Sequence, residues 1–470
     1  MNLRYELERS VEEHELWRKG DRIVVAVSGG PDSMALLHML ASIAQTYSLS
    51  IMAAHVNHGF RVQESALELE VVKGYAAKLG VPCETIVLDL PGYIEEKRLN
   101  GQAAAREKRY AFLHDAAERF GASRIALAHH ADDQAETVLM RVIRGTGLTG
   151  LSGMHIKRHE KNVELIRPLL RMKKLDILRY CEEHDVPFCT DSSNLERHYF
   201  RNVIRLDVLP YLSEYNPQLS QSLQRLAEVA GAEDDWMEQQ AESLFGQLVL
   251  ASPDECVISC TDLRGLHVAL QRRLIKLILS YLSLGMDKIT FEQIETMRGA
   301  ASALAPGTWR IDAGSGIQCL REYDRMRWLL SAKLPTGDMD GYTYEVGRHS
   351  VSLTVAPAGW TFDFVQAEEA QSRKPVSRYE AIFDAAELKY PLVVRNRRLG
   401  DRIQVLGLNG SKKVQDMFVD EKLPPSEREL YPLLFDAAGR LLWIPGIRRS
   451  NHALTDTHTT SFLFIKAHNE

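Results

Sequence analysis

The stretch VVAVSGGPDSMALL, residues 24–37, decides the fold of the N-terminal part of the chain. It begins as a β-branched run typical of a buried strand and resumes, after residue 33, with apolar residues at helical spacing. Gly29 and Gly30 let the backbone turn tightly and approach an anion, because no Cβ stands in the way. The N–H groups and dipole of the following helix then face that anion, which predicts a phosphate-binding loop.

Asp32 in this loop indicates a metal ion as well as a phosphate. Its carboxylate would repel a phosphate group, so it fits such a loop only if Mg²⁺ bridges the two. The loop matches neither the Walker pattern nor the dinucleotide pattern G-x-G-x-x-G. The alternative is an ordinary strand-to-helix turn in which Ser28, Asp32 and Ser33 serve as helix caps.

Strand and helix patterns alternate through the first 150 residues. The predicted strands cover residues 22–27, 50–56, 84–88 and 124–128. The predicted helices cover residues 34–44, 64–79, 102–120 and 132–144. This alternation predicts an α/β domain with a doubly wound, Rossmann-like parallel sheet, and such sheets bind ligands at the carboxyl ends of their strands.

The remaining sequence predicts two further domains, in keeping with a length of 470 residues. Residues 175–330 are mainly helical in pattern, and residues 331–350 are polar and rich in glycine, as linkers are. Short strand patterns follow from residue 351. We therefore predict a catalytic domain at 1–215, a mainly helical domain at 216–335 and a small C-terminal α/β domain at 336–470.

Composition excludes several classes of protein. The chain is 45% hydrophobic and 26% charged, and its 57 basic and 63 acidic residues give a net charge of −6, which excludes a uniformly basic nucleic-acid coat. Six cysteines without a C-x-x-C pair are typical of neither a disulfide scaffold nor a zinc ribbon. We find no apolar signal region and no apolar run long enough for a membrane span, so we expect a cytoplasmic protein without membrane contact.

Four further motifs accompany the loop: AHVNHGFR at 54–61, GQAAAREKRY at 101–110, AHHADDQAE at 128–136, and DSSN at 191–194 followed by RNVIR at 201–205. The loop itself resembles the pyrophosphate loop (PP-loop) of the N-type ATP pyrophosphatases. With the four motifs, the chain resembles the tRNA(Ile)-lysidine synthetase family over about the first 215 residues, departing mildly at Phe60 and Gln102. The likeness resumes near the end in GDRIQVLGLNGSKKVQDMFVDEKLPPSERE and LLWIPGIRRS.

This resemblance implies an activity, two cofactors and two substrates. The family uses ATP and Mg²⁺ to adenylate the wobble cytidine of a tRNA(Ile) with a CAU anticodon. The side-chain amine of free L-lysine then attacks C2 of the base, and AMP leaves. The expected ATP-binding residues are Ser28, Gly29, Gly30, Pro31, Asp32, Ser33, Ala26 and His55, with Asp32 also holding the magnesium ion.

The lysine substrate requires carboxylates, because its amine has a pKa near 10.4 and is protonated at neutral pH. Asp133 and Glu136 lie three residues apart on a predicted helix, and we expect them to hold this amine. We expect His129 near the reacting base. Asp132 is either a further ligand or a helix cap, and His130 is either functional or a packed residue.

Arginines are expected at both the chemistry and the tRNA. Arg106 and Arg109 are candidate catalytic partners for phosphate or the activated O2 atom, the alternative being solvated helix arginines. Nine basic and two acidic residues lie between residues 138 and 174, and a second basic group lies between residues 395 and 413. The expected tRNA-binding residues are Arg141, Arg144, Arg201, Arg205, Arg397, Lys412 and Lys413. The oligomeric state stays open, with a homodimer as one candidate.

Three other functions are compatible with the loop alone. A tRNA thiolase would need catalytic cysteines near the site, and Cys83, Cys181 and Cys189 lack the usual spacing. An amidotransferase of the GMP- or NAD-synthetase kind would need a source of ammonia, for which no cysteine–histidine signature is evident. A non-catalytic RNA-binding protein would have no need of Asp32, Asp133 and Glu136.

Overall fold

The computed structural model describes residues 3–57, 62–88, 90, 93, 101–190, 197–283, 289–303, 307–331, 341–368, 375–405 and 410–469. The chain divides into two compact units, Met1–Met237 and Glu238–Glu470. None of the helices in these ranges is long and apolar enough to span a bilayer.

A six-stranded sheet forms the centre of the N-terminal unit. Its strands are β1 (Arg22–Ala26), β2 (Ser50–Asn57), β3 (Cys83–Val87), β4 (Arg124–Ala126), β5 (Lys157–Glu160) and β6 (Val163–Ile166). The helices that accompany it are α1 (Leu3–His14), α2 (Pro31–Tyr47), α3 (Val62–Lys78), α4 (Gly101–Phe120), α5 (Ala131–Arg144), α6 (Leu148–Leu151) and α7 (Lys174–Glu183). The four predicted strands and four predicted helices are all present.

The strand order β3-β2-β1-β4-β6-β5 confirms the predicted doubly wound α/β fold. Neighbouring strands are parallel except at the β5 edge, where β5 pairs with β6 in antiparallel fashion. The chain runs outward from β1 through β2 to β3 and then crosses back to β4 on the other side of β1. This reversal creates a crevice at the carboxyl ends of β1 and β4, the place where such sheets bind ligands.

Both faces of the sheet are covered by helices. Ile23 and Val25 of β1 point into a core shared with α1, α2, α3 and α7. Val24, between them, points into a second core formed mainly with α4. Because successive strand residues face opposite sides, a strand buried on both faces must be apolar throughout, and that explains the continuous run IVV.

A helical segment completes the N-terminal unit. It consists of α8 (Phe200–Val203), a π-helical turn at Ile204–Val208, α9 (Leu209–Tyr215) and the start of α10 (Leu219–Leu248). Ile204, Leu209, Leu223 and Ala227 pack on Ala135 and Val138 of α5. The segment is therefore fixed against the helix that carries the AHHADDQAE motif.

The C-terminal unit contains three antiparallel sheets and a short hairpin. Its first sheet has the order β7-β8-β11-β10-β9, and its helices pack on that sheet around the buried Trp328. The elements are β7 (Leu250–Ser252), β8 (Glu255–Ser259), α11 (Cys260–Gly265), α12 (Val268–Leu282), α13 (Phe291–Ser302), β9 (Thr308–Gly314), β10 (Ile317–Glu322) and β11 (Arg325–Leu330).

The last part of the chain is mostly β-structure around Trp443 and Phe362. Its sheets have the orders β12-β16-β19-β20-β21 and β13-β14-β22-β15, and β17 pairs with β18. The elements are β12 (Thr343–Val346), β13 (Ser352–Val355), β14 (Trp360–Ala367), β15 (Glu380–Asp384), β16 (Leu392–Asn396), β17 (Arg402–Gln404), β18 (Ser411–Lys413), α14 (Val414–Asp420), α15 (Pro425–Arg428), β19 (Pro432–Phe435), β20 (Leu441–Ile444), β21 (Arg448–Arg449) and β22 (Phe462–Asn469).

The region from 216 to 335 contains more β-structure than its sequence indicates. Four helices are present there, but so are five strands that the helical pattern does not predict. These strands have only three to seven residues, so each offers only a short stretch of alternating residues, such as RMRW in β11. Residues 332–340 of the predicted linker lie outside the described residues, and its second half contains β12, which begins at Thr343.

Candidate active site

The loop between β1 and α2 has the shape expected of a phosphate cradle. Gly29 has a φ of +89°, a conformation that side chains disfavour, and Gly30 is the N-cap of α2. The Ser33 hydroxyl donates to the Gly30 carbonyl at 3.0 Å and accepts from the Ser28 N–H at 3.0 Å. Pro31 occupies the first turn, where a missing N–H costs nothing. Ala26 ends β1 directly before this turn.

Asp32 is joined to a lysine that the sequence motifs do not single out. The Lys174 ammonium lies 2.7 Å from both carboxylate oxygens of Asp32. The backbone N–H of Lys174 donates to Asp132 at 2.9 Å, so the carboxylate that follows β4 positions this lysine. The N-cap of α5 is His130, so the contact of Asp132 is to Lys174 and not to the start of its own helix; its role as a further ligand stays a prediction.

His130 links the loop to the carboxylates of α5. Its Nε2 atom lies 3.8 Å from Asp32 Oδ2 and 3.4 Å from Asp133 Oδ2, and its Nδ1 atom lies 3.6 Å from Asp132 Oδ2. The His130 N–H also donates to Asp133 Oδ2 at 3.0 Å and so completes a capping box at the start of α5. The carboxyl ends of β1 and β4 thus form one continuous polar site.

Asp133 and Glu136 form an ion cluster with two arginines of the RNVIR motif. Arg201 lies 2.7 Å from Glu136 and 2.9 Å from Asp133, measured between nitrogen and carboxylate oxygen. Arg205 lies 2.5 Å from Glu136 and 3.3 Å from Asp133. The π-helical turn starts at Ile204, between the two arginines, and such turns are frequent at functional sites.

The carboxylates of this cluster are more buried than its guanidinium groups. The Glu136 side chain is 1% exposed, whereas those of Arg201 and Arg205 are 37% and 34% exposed. Burial alone would raise the pKa of Asp133, but the charges of His130 and Arg201 lower it below its ordinary value. Asp133 is therefore charged at neutral pH, and the partly exposed arginines present an open face.

Two buried imidazoles have ring nitrogens without a partner among the described residues. Burial lowers the pKa of His129 to about 3, so its ring is neutral, and its Nδ1 atom has no hydrogen bond there. Burial also lowers the pKa of His55, whose Nδ1–H donates to the Val27 carbonyl at 2.9 Å. That bond leaves His55 Nε2 as a buried acceptor available to a ligand donor.

The arginines of α4 lie around a tyrosine. The Arg106 guanidinium is 4.8 Å from the centre of the Tyr110 ring and that of Arg109 is 5.7 Å from it. Burial lowers the pKa of Arg109, and its charge reaches His129. No hydrogen bond or ion pair joins either arginine to the carboxylates across the described part of the chain, so their catalytic roles remain predictions.

The residues predicted to bind tRNA differ in whether their charged groups are already paired within the protein or exposed to solvent. Arg141 donates to the carbonyls of Gly150 and Gly153 at 2.9 and 2.7 Å, whereas Arg144 is exposed beside Phe200. In the C-terminal unit the residues concerned are Arg397, which pairs with Glu429 at 2.8 Å, Lys412, which pairs with Asp420, and Lys413, which is exposed. Their contacts to tRNA remain predictions.

One residue of the site could not have been assigned from the sequence. Lys174 occurs in the basic run after α5, where it looks like any other basic residue. Its position follows from the way β6 and α7 return the chain to the loop. The predicted motif residues at 58–61 and 191–194 lie outside the described residues.

The doubly wound fold and its phosphate loop are those of the PP-loop class of nucleotide-binding domains, and comparison with family models gives the same class. Residues 2–212 match the model of the PP-loop domain, and residues 392–463 match that of the TilS substrate C-terminal domain. The crystal structure of a TilS C-terminal domain is 30% identical and covers 27% of this chain and 97% of its own, with a TM-score of 0.26. The U34-tRNA thiolase NcsA from Methanococcus maripaludis is 20% identical and covers 48% and 78%, with a TM-score of 0.42.

Whole-length relatives narrow the class to a family. The chain is 35% identical over 445 residues to the tRNA(Ile)-lysidine synthase of Bacillus subtilis (strain 168), which covers 93% of this chain and 92% of that protein. It is 33% identical over 446 residues to that of Geobacillus kaustophilus (strain HTA426), covering 94% of each. The chain belongs to the tRNA(Ile)-lysidine synthase family, and the resemblance inferred from its motifs is confirmed.

Proposed function

We propose that this protein joins free L-lysine to C2 of the wobble cytidine, position 34, of tRNA(Ile) with a CAU anticodon. Membership of the family supports ATP-dependent formation of lysidine on tRNA(Ile). One structural observation carries the finer proposal: His130 joins a phosphate loop and a carboxylate cluster into one site. Such a site can hold a nucleotide and an amine side by side, as a two-step ligation requires.

The first step activates the base. The O2 atom of cytidine attacks the α-phosphorus of ATP, the bond between the α- and β-phosphates breaks, and pyrophosphate leaves. The loop N–H groups and the Lys174 ammonium lie where they would neutralise the pyrophosphate. His55 Nε2 would accept a hydrogen bond from the nucleoside.

Asp32 is the residue we propose for Mg²⁺. Within the described residues, no three histidine, cysteine or acidic side chains form a metal site by themselves. Magnesium is commonly held by one or two carboxylates together with substrate phosphates, and Asp32 at the loop meets that pattern. Both oxygens of Asp32 contact the Lys174 ammonium, and Mg²⁺ would replace that ammonium at the carboxylate. Bound there, Mg²⁺ would neutralise charge on the phosphates.

The second step forms the carbon–nitrogen bond. The lysine amine attacks C2, the bond between C2 and the adenylated oxygen breaks, AMP leaves, and the amine loses a proton. Asp133 and Glu136 supply the two negative charges that would hold the incoming ammonium. His129, neutral and with a free buried acceptor atom, is suited to a hydrogen bond with the base rather than to storing a proton.

The ion cluster reconciles two predictions about the same residues. Arg201 and Arg205 are proposed to bind tRNA phosphate, yet they neutralise the carboxylates proposed for lysine. Both roles are fulfilled if a tRNA phosphate pairs with one of these guanidinium groups. The guanidinium then releases its carboxylate, which becomes available to the ammonium of the lysine substrate. Binding of tRNA would in this way favour binding of lysine.

Cysteine chemistry, as in a thiolase, is disfavoured by the state of the two thiols beside the loop. Cys181 contacts the Pro31 carbonyl at 3.6 Å, and the Cys189 N–H donates to the Gly29 carbonyl at 2.9 Å. Burial raises the pKa of Cys181 to about 11 and also raises that of Cys189. A thiol that stays protonated at neutral pH is a poor nucleophile.

Other parts of the proposal concern organisation. We propose that the basic group at 395–413 contacts the body of the tRNA and that the chain acts in three parts, 1–215, 216–335 and 336–470. A cytoplasmic location is supported by six cysteines that are all free thiols. The candidate assembly is a homodimer.

The direct test incubates the protein with ATP, Mg²⁺, radiolabelled lysine and a CAU-anticodon tRNA(Ile), followed by analysis of the nucleosides. We expect lysine-dependent label in a cytidine-derived nucleoside, and none with a matched tRNA whose position 34 is uridine. Equal labelling of both tRNAs, or no labelling of either, would contradict the proposal.

A further inference from the structure

An exposed aromatic ring beside the carboxylate cluster has no role in the site described above. Phe200, the first residue of α8, is 40% exposed. The guanidinium carbon of Arg144, the last residue of α5, lies 5.5 Å from the centre of its ring. The pair therefore combines a partly open aromatic ring with a cation over one of its faces.

Packing does not account for this exposure. The cluster that fixes the segment after residue 200 to α5 is made by Ile204, Leu209 and neighbouring apolar residues, and Phe200 is not part of it. Phe200 also lies in the run Arg197-His198-Tyr199-Phe200-Arg201, in which basic and aromatic residues interleave. The His198 and Tyr199 rings are themselves in contact, with centres 5.3 Å apart. Interleaving of this kind is typical of surfaces that bind single-stranded nucleic acid.

The position of the pair relates it to the reacting base. Arg201, next to Phe200 in sequence, contacts Glu136 and Asp133. Arg144 follows Glu136 by eight residues on the same helix, which corresponds to about 12 Å along the helix axis. The Arg144 side of the pair is thus displaced along α5 from Glu136, while Phe200 adjoins the cluster through Arg201.

We propose that Phe200 and Arg144 form a stacking shelf for the anticodon-loop base next to the wobble cytidine. The inference rests on the function proposed above and adds a positioning element to it. An unpaired base would lie on the open face of Phe200, while Arg144 pairs with its phosphate. Holding the neighbouring base would direct the cytidine itself towards the carboxylates. The positive charge of Arg144 complements this polyanionic occupant.

The test uses CAU-anticodon tRNA(Ile) with 2-aminopurine, a base whose fluorescence is quenched by stacking, at position 33 or 35. Binding is measured without ATP or lysine for the wild type, Phe200→Ala, Phe200→Trp and Arg144→Ala. We expect a protein-dependent fluorescence change at one of the two positions. Phe200→Ala should abolish it and weaken tRNA binding at least about fivefold, and Phe200→Trp should retain both.

A matched control lies in the C-terminal unit. Phe291 is also exposed, with the Arg272 guanidinium 5.2 Å from the centre of its ring. Phe291→Ala should leave the fluorescence change intact. Arg144→Ala should lower the salt dependence of binding, whereas Phe200→Ala should not, since only the arginine releases counterions.

Two results would overturn the shelf. One is a fluorescence change at neither position with wild-type protein; the other is the same change with Phe200→Ala as with wild type. Thermal unfolding of each variant, expected within a few degrees of wild type, shows that a lost signal is not lost folding. The lysidine assay on the same wild-type sample reports separately whether the proposed function itself fails.

Discussion

Two arginine–carboxylate clusters of this protein differ in which partner is open to solvent. In the C-terminal unit, Arg395 and Asp401 form a two-bond pair at 2.7 and 2.8 Å, and each side chain is 12% exposed. In the N-terminal unit, Glu136 is buried while Arg201 and Arg205 keep about a third of their side chains exposed. The first pair is closed to solvent on both sides, as expected of a pair that stabilises the fold, whereas the exposed arginines of the second could exchange partners, as the proposed lysine and tRNA binding requires.

The largest effect is expected at Asp32, the loop residue that His130 connects to the open cluster. Asp32→Asn should lower tRNA-dependent release of AMP by about 100- to 1000-fold, because a charge that binds the phosphate-bound cation is lost. Asp176→Asn, on the first turn of α7, is the control and should leave the rate unchanged. Normal AMP release by Asp32→Asn would exclude the proposed magnesium role.

A smaller and more selective effect is expected in the open cluster. Glu136→Gln removes one of two charges for the lysine ammonium, so the KM for lysine should rise by at least about 30-fold. Formation of adenylated tRNA should fall much less, as measured with ATP labelled at its α-phosphate. An equal loss in both steps would place the lysine pocket elsewhere.

Substitution in the closed Arg395–Asp401 pair should lower the stability of the protein and leave the rate of lysidine formation nearly unchanged. Asp401→Asn leaves the largely buried Arg395 charge without its carboxylate, although its contacts to the Asn396 carbonyl and the Phe435 ring remain, and the free energy of unfolding should fall by about 3 kcal/mol. Urea unfolding measures this change. Lysidine formation per folded molecule at saturating tRNA should stay within about twofold of wild type, and a large loss there would mean that the two clusters are not different in kind.

The low pKa of His129 predicts a pH dependence of stability. An unfolded histidine titrates near 6.5 and the folded one near 3, so between these values the unfolded state binds more protons. The stabilisation that the neutral His129 ring contributes to the free energy of unfolding is therefore fully present above about pH 7. It decreases as the pH is lowered, by at most about 2 kcal/mol at pH 5. His129→Asn should remove this dependence in urea unfolding; an unchanged profile would contradict the low pKa.

The smallest effect concerns two neighbouring lysines of β18. Lys412 is already paired with Asp420, whereas Lys413 is exposed. Lys413→Ala should therefore reduce the slope of log affinity for tRNA against log salt by up to about one, and Lys412→Ala by less. Equal changes for both would show that the Asp420 contact gives way to tRNA.

The comparison also shows what the sequence could predict. The loop at 28–33 and the carboxylates at 133 and 136 follow β1 and β4, and parallel strands bring such motifs to one edge of the sheet. The partners of those carboxylates could not be predicted in the same way. Arg201 and Arg205 return from 65 or more residues away on a segment whose position depends on packing against α5. Lys174 is likewise placed by tertiary structure.

Less of the structure of the C-terminal unit could be predicted from its sequence. Its first sheet is made of short strands, and one of them, β10, ends in the buried charged residues Arg321 and Glu322, which a strand pattern does not indicate. The sequence predicts that the basic residues between 395 and 413 form one positively charged patch. In the folded chain Arg395 is held by Asp401, Arg397 by Glu429 and Lys412 by Asp420.

The central claim is that one site adenylates the tRNA and then transfers lysine. It is tested most directly with ATP labelled at the α-phosphate, CAU-anticodon tRNA(Ile) and no lysine, followed by a chase with unlabelled lysine. We predict that label accumulates on the tRNA and is released as AMP when lysine is added, with one lysidine formed for each AMP. Lysidine formation without prior labelling of the tRNA, or label that lysine does not release, would contradict the claim.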